Sequence, residues 1–188
     1  MLCSLILKVP VYNYARHDLL FERLKDILNP GEIEFQKAIY DKILIQSGQS
    51  SFTPNLGVAQ GSIVSPAFFD IYLEPLLWEL NNLIPLQDIF AYADDVLVLC
   101  EDIETLKKCN SIIEDWANKN NMKINKNKSA VMEFIHRQKR KTNLTVGDTL
   151  MGYPIVNEYK YLGCWLTQKL TIDTHLKHII TKTNSDPS

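Results

Sequence analysis

From His17 to Leu28 the chain places Leu20, Leu24 and Leu28 at intervals of four, with Phe21 and Ile27 beside the stripe. That spacing predicts an amphipathic helix, which Asn29-Pro30-Gly31 then stops. Ile103, Leu106, Ile113, Trp116 and Ala117 predict a second helix over residues 103–118 with one apolar side. Ser65-Pro66 signals a helix start, and Phe68, Phe69, Ile71 and Tyr72 follow as an apolar helical run. Short runs rich in β-branched and aromatic residues predict strands at Ile6–Tyr12, Ile89–Tyr92, Val96–Cys100, Ala130–Ile135 and Tyr159–Leu166. Strands interleaved with amphipathic helices imply an α+β fold in which helices cover one face of a sheet.

Composition narrows this without redirecting it. With 188 residues, 46% hydrophobic and 22% charged, the chain can bury a core of ordinary size. Its apolar stretches break well before the roughly 20 residues of a membrane span, so no membrane partner is expected. Cys3, Cys100, Cys109 and Cys164 form no CxxC pair, which predicts reduced, buried thiols in an intracellular protein. The net charge of -2 hides an asymmetry. Residues 1–118 hold 8 basic residues against 17 acidic ones, whereas residues 119–141 hold 8 against 1. A basic strip on an acidic body reads either as a solvated surface or as a place for phosphates.

Two segments carry candidate chemistry. In IFAYADDVLVLC, residues 89–100, two apolar strand halves flank Asp94-Asp95, as in a hairpin with adjacent carboxylates at its turn. Asp is a common turn residue, yet two like charges inside an apolar dodecamer also invite a counter-ion, with Mg²⁺ or Mn²⁺ the natural hard cation. In GVAQGSIVSPAFFDIYLEPLL, residues 57–77, glycines precede a helix start, an arrangement that presents backbone N–H groups to an anion or simply caps a helix.

The order GVxQGxxxSPxxFxxY (residues 57–72), AYADD (91–95), NxxKS (125–129) and YLG (161–163) resembles the palm of reverse transcriptases, and is most similar to the non-LTR retrotransposon type. The resemblance covers residues 5–170. It implies a palm-type antiparallel sheet with helices packed on one face, and RNA-directed DNA polymerase activity with an RNA template, a DNA primer and dNTPs as partners. By this resemblance Asp94 and Asp95 are catalytic and hold the metal, and Lys128 contacts or protonates pyrophosphate. Gln60, Gly61 and Ser62 face template and incoming nucleotide, Tyr12 selects deoxynucleotides, and Tyr161, Leu162 and Gly163 grip the primer.

One family position departs from its pattern. The first motif, DxxxA[FY][DN], aligns with Leu7-Lys8-Val9-Pro10-Val11-Tyr12-Asn13, so leucine stands in the place of the first carboxylate and impairment of two-metal transfer is expected. The alternative is a catalytically dead retroelement remnant that at most binds nucleic acid. Residues 1–168 are expected to be a partial palm without fingers, and residues 169–188 the start of a thumb or a disordered tail. Nucleus and organelle are equally compatible with this reading.

Overall fold

The computed structural model describes residues 2–9, 14–47, 50–59, 61–135, 144–177 and 180. Tyr12, Gln60 and the basic residues 136–141 therefore lie outside the described residues.

The chain begins with strand β1 (Leu2–Lys8), followed by helices α1 (His17–Leu24) and α2 (Pro30–Asp41). A small hairpin, β2 (Ile45–Ser47) and β3 (Ser50–Phe52), leads to helix α3 (Ser65–Asn81). Then come β4 (Ile89–Tyr92), β5 (Asp95–Cys100), helix α4 (Ile103–Lys119) and β6 (Ala130–Phe134). Short pairs β7 (Thr149–Leu150) with β8 (Tyr153–Pro154), and β9 (Glu158–Tyr161) with β10 (Cys164–Thr167), complete the elements.

The main sheet has the order β4-β5-β1-β6, and every pairing in it is antiparallel. Strand β1 is central and buried on both faces, so its sequence is apolar up to Lys8 except for Ser4, whose buried hydroxyl donates to Met132 O at 3.2 Å. Its side chains nevertheless divide by the two-residue period of a strand. Cys3, Leu5 and Leu7, together with Val96, Val98 and Val131, join the large core that includes Leu73 and Leu76 of α3 and Leu106 and Ile113 of α4. Ile6, Leu97 and Met132 point to the opposite face, where Tyr159, Tyr161 and Leu166 of the β9–β10 hairpin pack on them. The helix layer and the hairpin thus sandwich the sheet, in agreement with the expected palm-type architecture.

Helix α1 ends four residues earlier than the leucine spacing suggests, because Asn29-Pro30 is also a start. Asn29 Oδ1 accepts from Glu32 N at 3.0 Å, and Glu32 Oε2 accepts from Asn29 N at 2.9 Å, a complete capping box with Pro30 in the first turn. The predicted run Tyr159–Leu166 is two strands and not one, divided at Leu162-Gly163. Of the four thiols, Cys3, Cys100 and Cys109 are buried as expected, whereas Cys164 is exposed on β10. None of the helices among the described residues is long and apolar enough to cross a membrane.

Candidate active site

Strands β4 and β5 pair from Ile89↔Val98 to Tyr92↔Asp95, leaving Ala93-Asp94 as a two-residue turn. The carboxylates therefore occupy different places, Asp94 in the turn itself and Asp95 as the first residue of β5. Ala93 has φ 48°, in the left-handed region that costs a Cβ-bearing residue roughly 1–2 kcal/mol. Such strain persists only where the surrounding ladder over-determines the turn. The ladder here runs past the strand end, since Val9 N donates to Asp94 O at 2.8 Å.

Across the sheet, β1 and β5 pair Leu7 with Val96 and Lys8 with Asp95. Residues directly opposite in an antiparallel pair share a face, so Leu7 lies with Val96 in the helix-side core and is 0% exposed. Lys8 lies with Asp95, and its Nζ is 2.5 Å from Asp95 Oδ1, with side-chain accessibilities of 38% and 13%. The sequence alignment places Leu7 where a third carboxylate belongs; in the structure position 7 is turned away from the Asp95 carboxylate, and the residue facing it is a cation.

The NxxKS segment fastens this end of β1. Asn125 N donates to Lys8 O at 3.1 Å, and Lys8 N donates to Ser129 Oγ at 3.1 Å. Ser129 Oγ in turn donates to Asn125 O at 2.8 Å, and Asn125 Oδ1 caps the short turn Lys126–Lys128 by accepting from Lys128 N at 3.2 Å. Asn125 and Ser129 are the residues of this motif that act on the fold, and Lys128 is exposed. Its carbonyl oxygen accepts from the Tyr159 hydroxyl at 2.5 Å, which ties the β9–β10 hairpin to the same corner. Lys126 is not a free member of the basic strip: its Nζ lies 3.1 Å from Glu114 Oε1 and 5.0 Å from the centre of the Tyr153 ring.

Tyr161 of the β9–β10 hairpin lies within electrostatic reach of Asp95, and Leu162 and Gly163 form the hairpin tip that follows it. Burial, and after it the negative charge of Asp95, pushes the Tyr161 phenol up to about 12 and moves Tyr159 in the same direction. The Tyr161 hydroxyl is buried without a hydrogen-bond partner. Leu162 is 48% exposed at the hairpin tip. With φ 45° at Leu162 and 84° at Gly163, both central residues are left-handed, the geometry of a type I′ turn, where asparagine is favoured over leucine. Leu162→Asn should therefore raise stability by about 0.5–1 kcal/mol, read as a higher urea midpoint at unchanged slope. An unchanged or lower midpoint would mean that the Leu162 side chain contributes more packing than its exposure suggests.

The loop before α3 is held separately. Gly61 has φ 86° and only open space where a Cβ would stand, so glycine serves the backbone angle there. Ser62 N donates to Ala59 O at 3.1 Å, and Ser65 Oγ donates to the same carbonyl at 2.6 Å, closing the turn onto the helix start. Asp95 thus has Tyr159 and Tyr161 of the β9–β10 hairpin within electrostatic reach, and Lys128 is joined to that hairpin through its backbone carbonyl. Gly61 and Ser62 sit in the loop preceding α3.

The donor set does not fit a two-metal centre. Asp95 is paired with an ammonium, the alignment's third ligand position is an aliphatic side chain in the core, and the described residues contain no cluster of three or more ligating side chains.

Comparison with known proteins agrees with this architecture. Residues 11–166 match the family described as reverse transcriptase (RNA-dependent DNA polymerase). The RNA-directed DNA polymerase from mobile element jockey of Drosophila funebris is 27% identical over 175 residues, an alignment covering 85% of this chain and 19% of that protein. Apo telomerase from Candida Tropicalis, truncated from its C-terminal domain, superposes with a TM-score of 0.60 at 17% identity, covering 92% of this chain and 35% of that one. The chain thus spans about a fifth of the length of the one and about a third of the other, and the second likeness establishes the fold alone. The match over residues 11–166 is decisive: the chain belongs to the reverse transcriptase family.

Proposed function

We propose that this chain is the palm of an RNA-directed DNA polymerase, with Asp94 and Asp95 as its catalytic carboxylate turn, and that nucleotidyl transfer is impaired in it as it stands. The observation carrying this reading is the strained carboxylate turn held beside the NxxKS cap, with Tyr159 and Tyr161 of the β9–β10 hairpin within electrostatic reach of Asp95, in a chain of this family. In the reaction of such a palm, the primer 3′-oxygen forms a bond to the α-phosphorus of a dNTP, the bond to pyrophosphate breaks, and the hydroxyl proton is lost. Divalent cations supply charge neutralisation in that chemistry when they are bound.

The contribution of this chain's own residues is placement. Leu162, exposed at the β9–β10 tip, is set to pack on the primer end. Gly61, with open space where a Cβ would stand, is assigned with Gln60 and Ser62 to the template and the incoming nucleotide. Tyr12 is assigned to exclusion of a ribose 2′-OH, and Lys128 to the pyrophosphate. Asp94 and Asp95 are assigned to the metal-facing position of the family, a role that the Lys8 ion pair and the apolar Leu7 both oppose.

Binding of nucleic acid tests the reading. A recessed DNA primer on an RNA template, followed by fluorescence anisotropy across a salt series, should bind with a steep salt dependence. Replacing Lys128, Arg137, Lys139 and Arg140 by Gln should flatten the slope of log K against log salt by about 0.7–0.9 for each phosphate that is no longer neutralised. Lys126 is left in place because it is engaged with Glu114 and Tyr153. Binding with an unchanged slope would show that the 119–141 strip is only a solvated surface, and absence of binding would remove the palm function itself.

A further inference from the structure

We infer that Lys8 is the resident counter-ion of Asp95, neutralising the carboxylate turn from within the sheet so that the turn does not take up a divalent cation. This rests on the reading of Asp94-Asp95 as the family's metal-facing turn. Lys8 is directly opposite Asp95 in the β1–β5 register, and the ammonium is 2.5 Å from a carboxylate oxygen.

The Lys8 backbone is fixed on both sides. Its N–H donates to Ser129 Oγ at 3.1 Å, its carbonyl accepts from Asn125 N at 3.1 Å, and the next residue's N–H donates to Asp94 O at 2.8 Å. The stem of Lys8 therefore springs from a strand end hydrogen-bonded on both sides, so closing the ion pair mainly orders its own side chain. A metal ion arriving from solution would have to displace a tethered cation, or bind beside it against like-charge repulsion. Mostly buried Asp95 also has the phenols Tyr159 and Tyr161 in its electrostatic range, and burial followed by the Asp95 charge raises both.

Titration of the ¹⁵N-labelled full chain with Mn²⁺, followed by paramagnetic broadening, separates the possibilities. Wild type should show no broadening centred on residues 94–95 at concentrations where Lys8→Met shows it clearly. The expected gain is about tenfold or more in affinity, since a unit charge beside a partly buried site acts through a lower effective dielectric than that of water. Lys8→Arg should behave as wild type, and Lys8→Gln gives the same comparison with a polar side chain if Lys8→Met folds poorly. Equal Mn²⁺ affinity in wild type, Lys8→Met and Lys8→Gln would overturn the role of Lys8. A gain that persists in Lys8→Met/Asp95→Asn would instead overturn the assignment of the turn, because the new site would then lie elsewhere.

Discussion

Leu7→Asp should destabilise the fold by about 4 kcal/mol or more, a large fraction of the roughly 5–15 kcal/mol that holds a domain of this size together. The motif DxxxA[FY][DN] makes this substitution the obvious repair of the missing carboxylate. The structure predicts the reverse outcome, because Leu7 is 0% exposed on the helix side of β1, against Val96 and within the same core as α3 and α4. Removing the leucine forfeits about 2–3 kcal/mol of apolar burial. The aspartate then either carries its charge into that core or takes up a proton and leaves a carboxyl group unpaired there, at a further cost of several kcal/mol. Leu7→Met, which conserves volume, should cost less than about 1.5 kcal/mol. Urea unfolding of both variants decides the matter. A wild-type midpoint for Leu7→Asp would mean that position 7 faces the open side and that Lys8 does not oppose Asp95.

The four strands of the main sheet and helices α1, α3 and α4 are legible in the sequence because their signals are local, whereas the short pairs β2–β3 and β7–β8 are not. Ile89–Tyr92 matches β4 to the residue, and the apolar side of residues 103–118 gives α4, with Asp102 accepting from Thr105 N at 2.7 Å as its cap. Helix α2 is hidden because Asn29-Pro30-Gly31 reads as a stop. The Glu32 that completes the capping box lies three residues after Asn29 and signals the start of a new helix. Strand β1 begins at Leu2, so the apolar start of the chain and the run beginning at Ile6 belong to one strand. A strand buried on both faces carries no alternation to mark where it begins.

The carboxylate turn is legible for a different reason, since two acids inside an apolar run stand out in any register. The ion pair on Asp95 is not. Lys8 is an unexceptional residue at a strand end until β1 is laid antiparallel to β5, and the antiparallel neighbour of β5 is set by the sheet order, which no local pattern records. Given that order, period-two alternation alone separates Leu7 from Lys8, because placing one on the core side puts the other on the side of Asp95. Charge counting misses the distinction within the basic strip for a similar reason. Lys126 is engaged by Glu114 and the Tyr153 ring, contacts between segments that approach only in the folded chain.

The unmodified chain should show no template-dependent extension of a DNA primer on RNA, with Mg²⁺ or with Mn²⁺. Transfer brings a nucleophilic oxygen onto a triphosphate, and two cations about 3.5–4 Å apart need bridging anions to offset their mutual repulsion. At this turn the two carboxylates contribute a charge of about minus two, of which the Lys8 ammonium already cancels one, and the aliphatic Leu7 adds none. Groups that act as a unit lose activity together, so single repairs should recover little. Lys8→Met should restore room for a cation without restoring the third carboxylate, and should remain inactive. Lys8→Asp puts a third carboxylate on the face of Asp95 without disturbing the core, so it should gain more stabilisation from Mn²⁺ than Lys8→Met does, read as a shift in melting temperature. The assay uses labelled primer, RNA template and all four dNTPs, with Asp94→Asn as the control. Extension by the wild-type chain that Asp94→Asn abolishes would show that Asp95 gives up Lys8 when substrate arrives, and that the chain is a working polymerase.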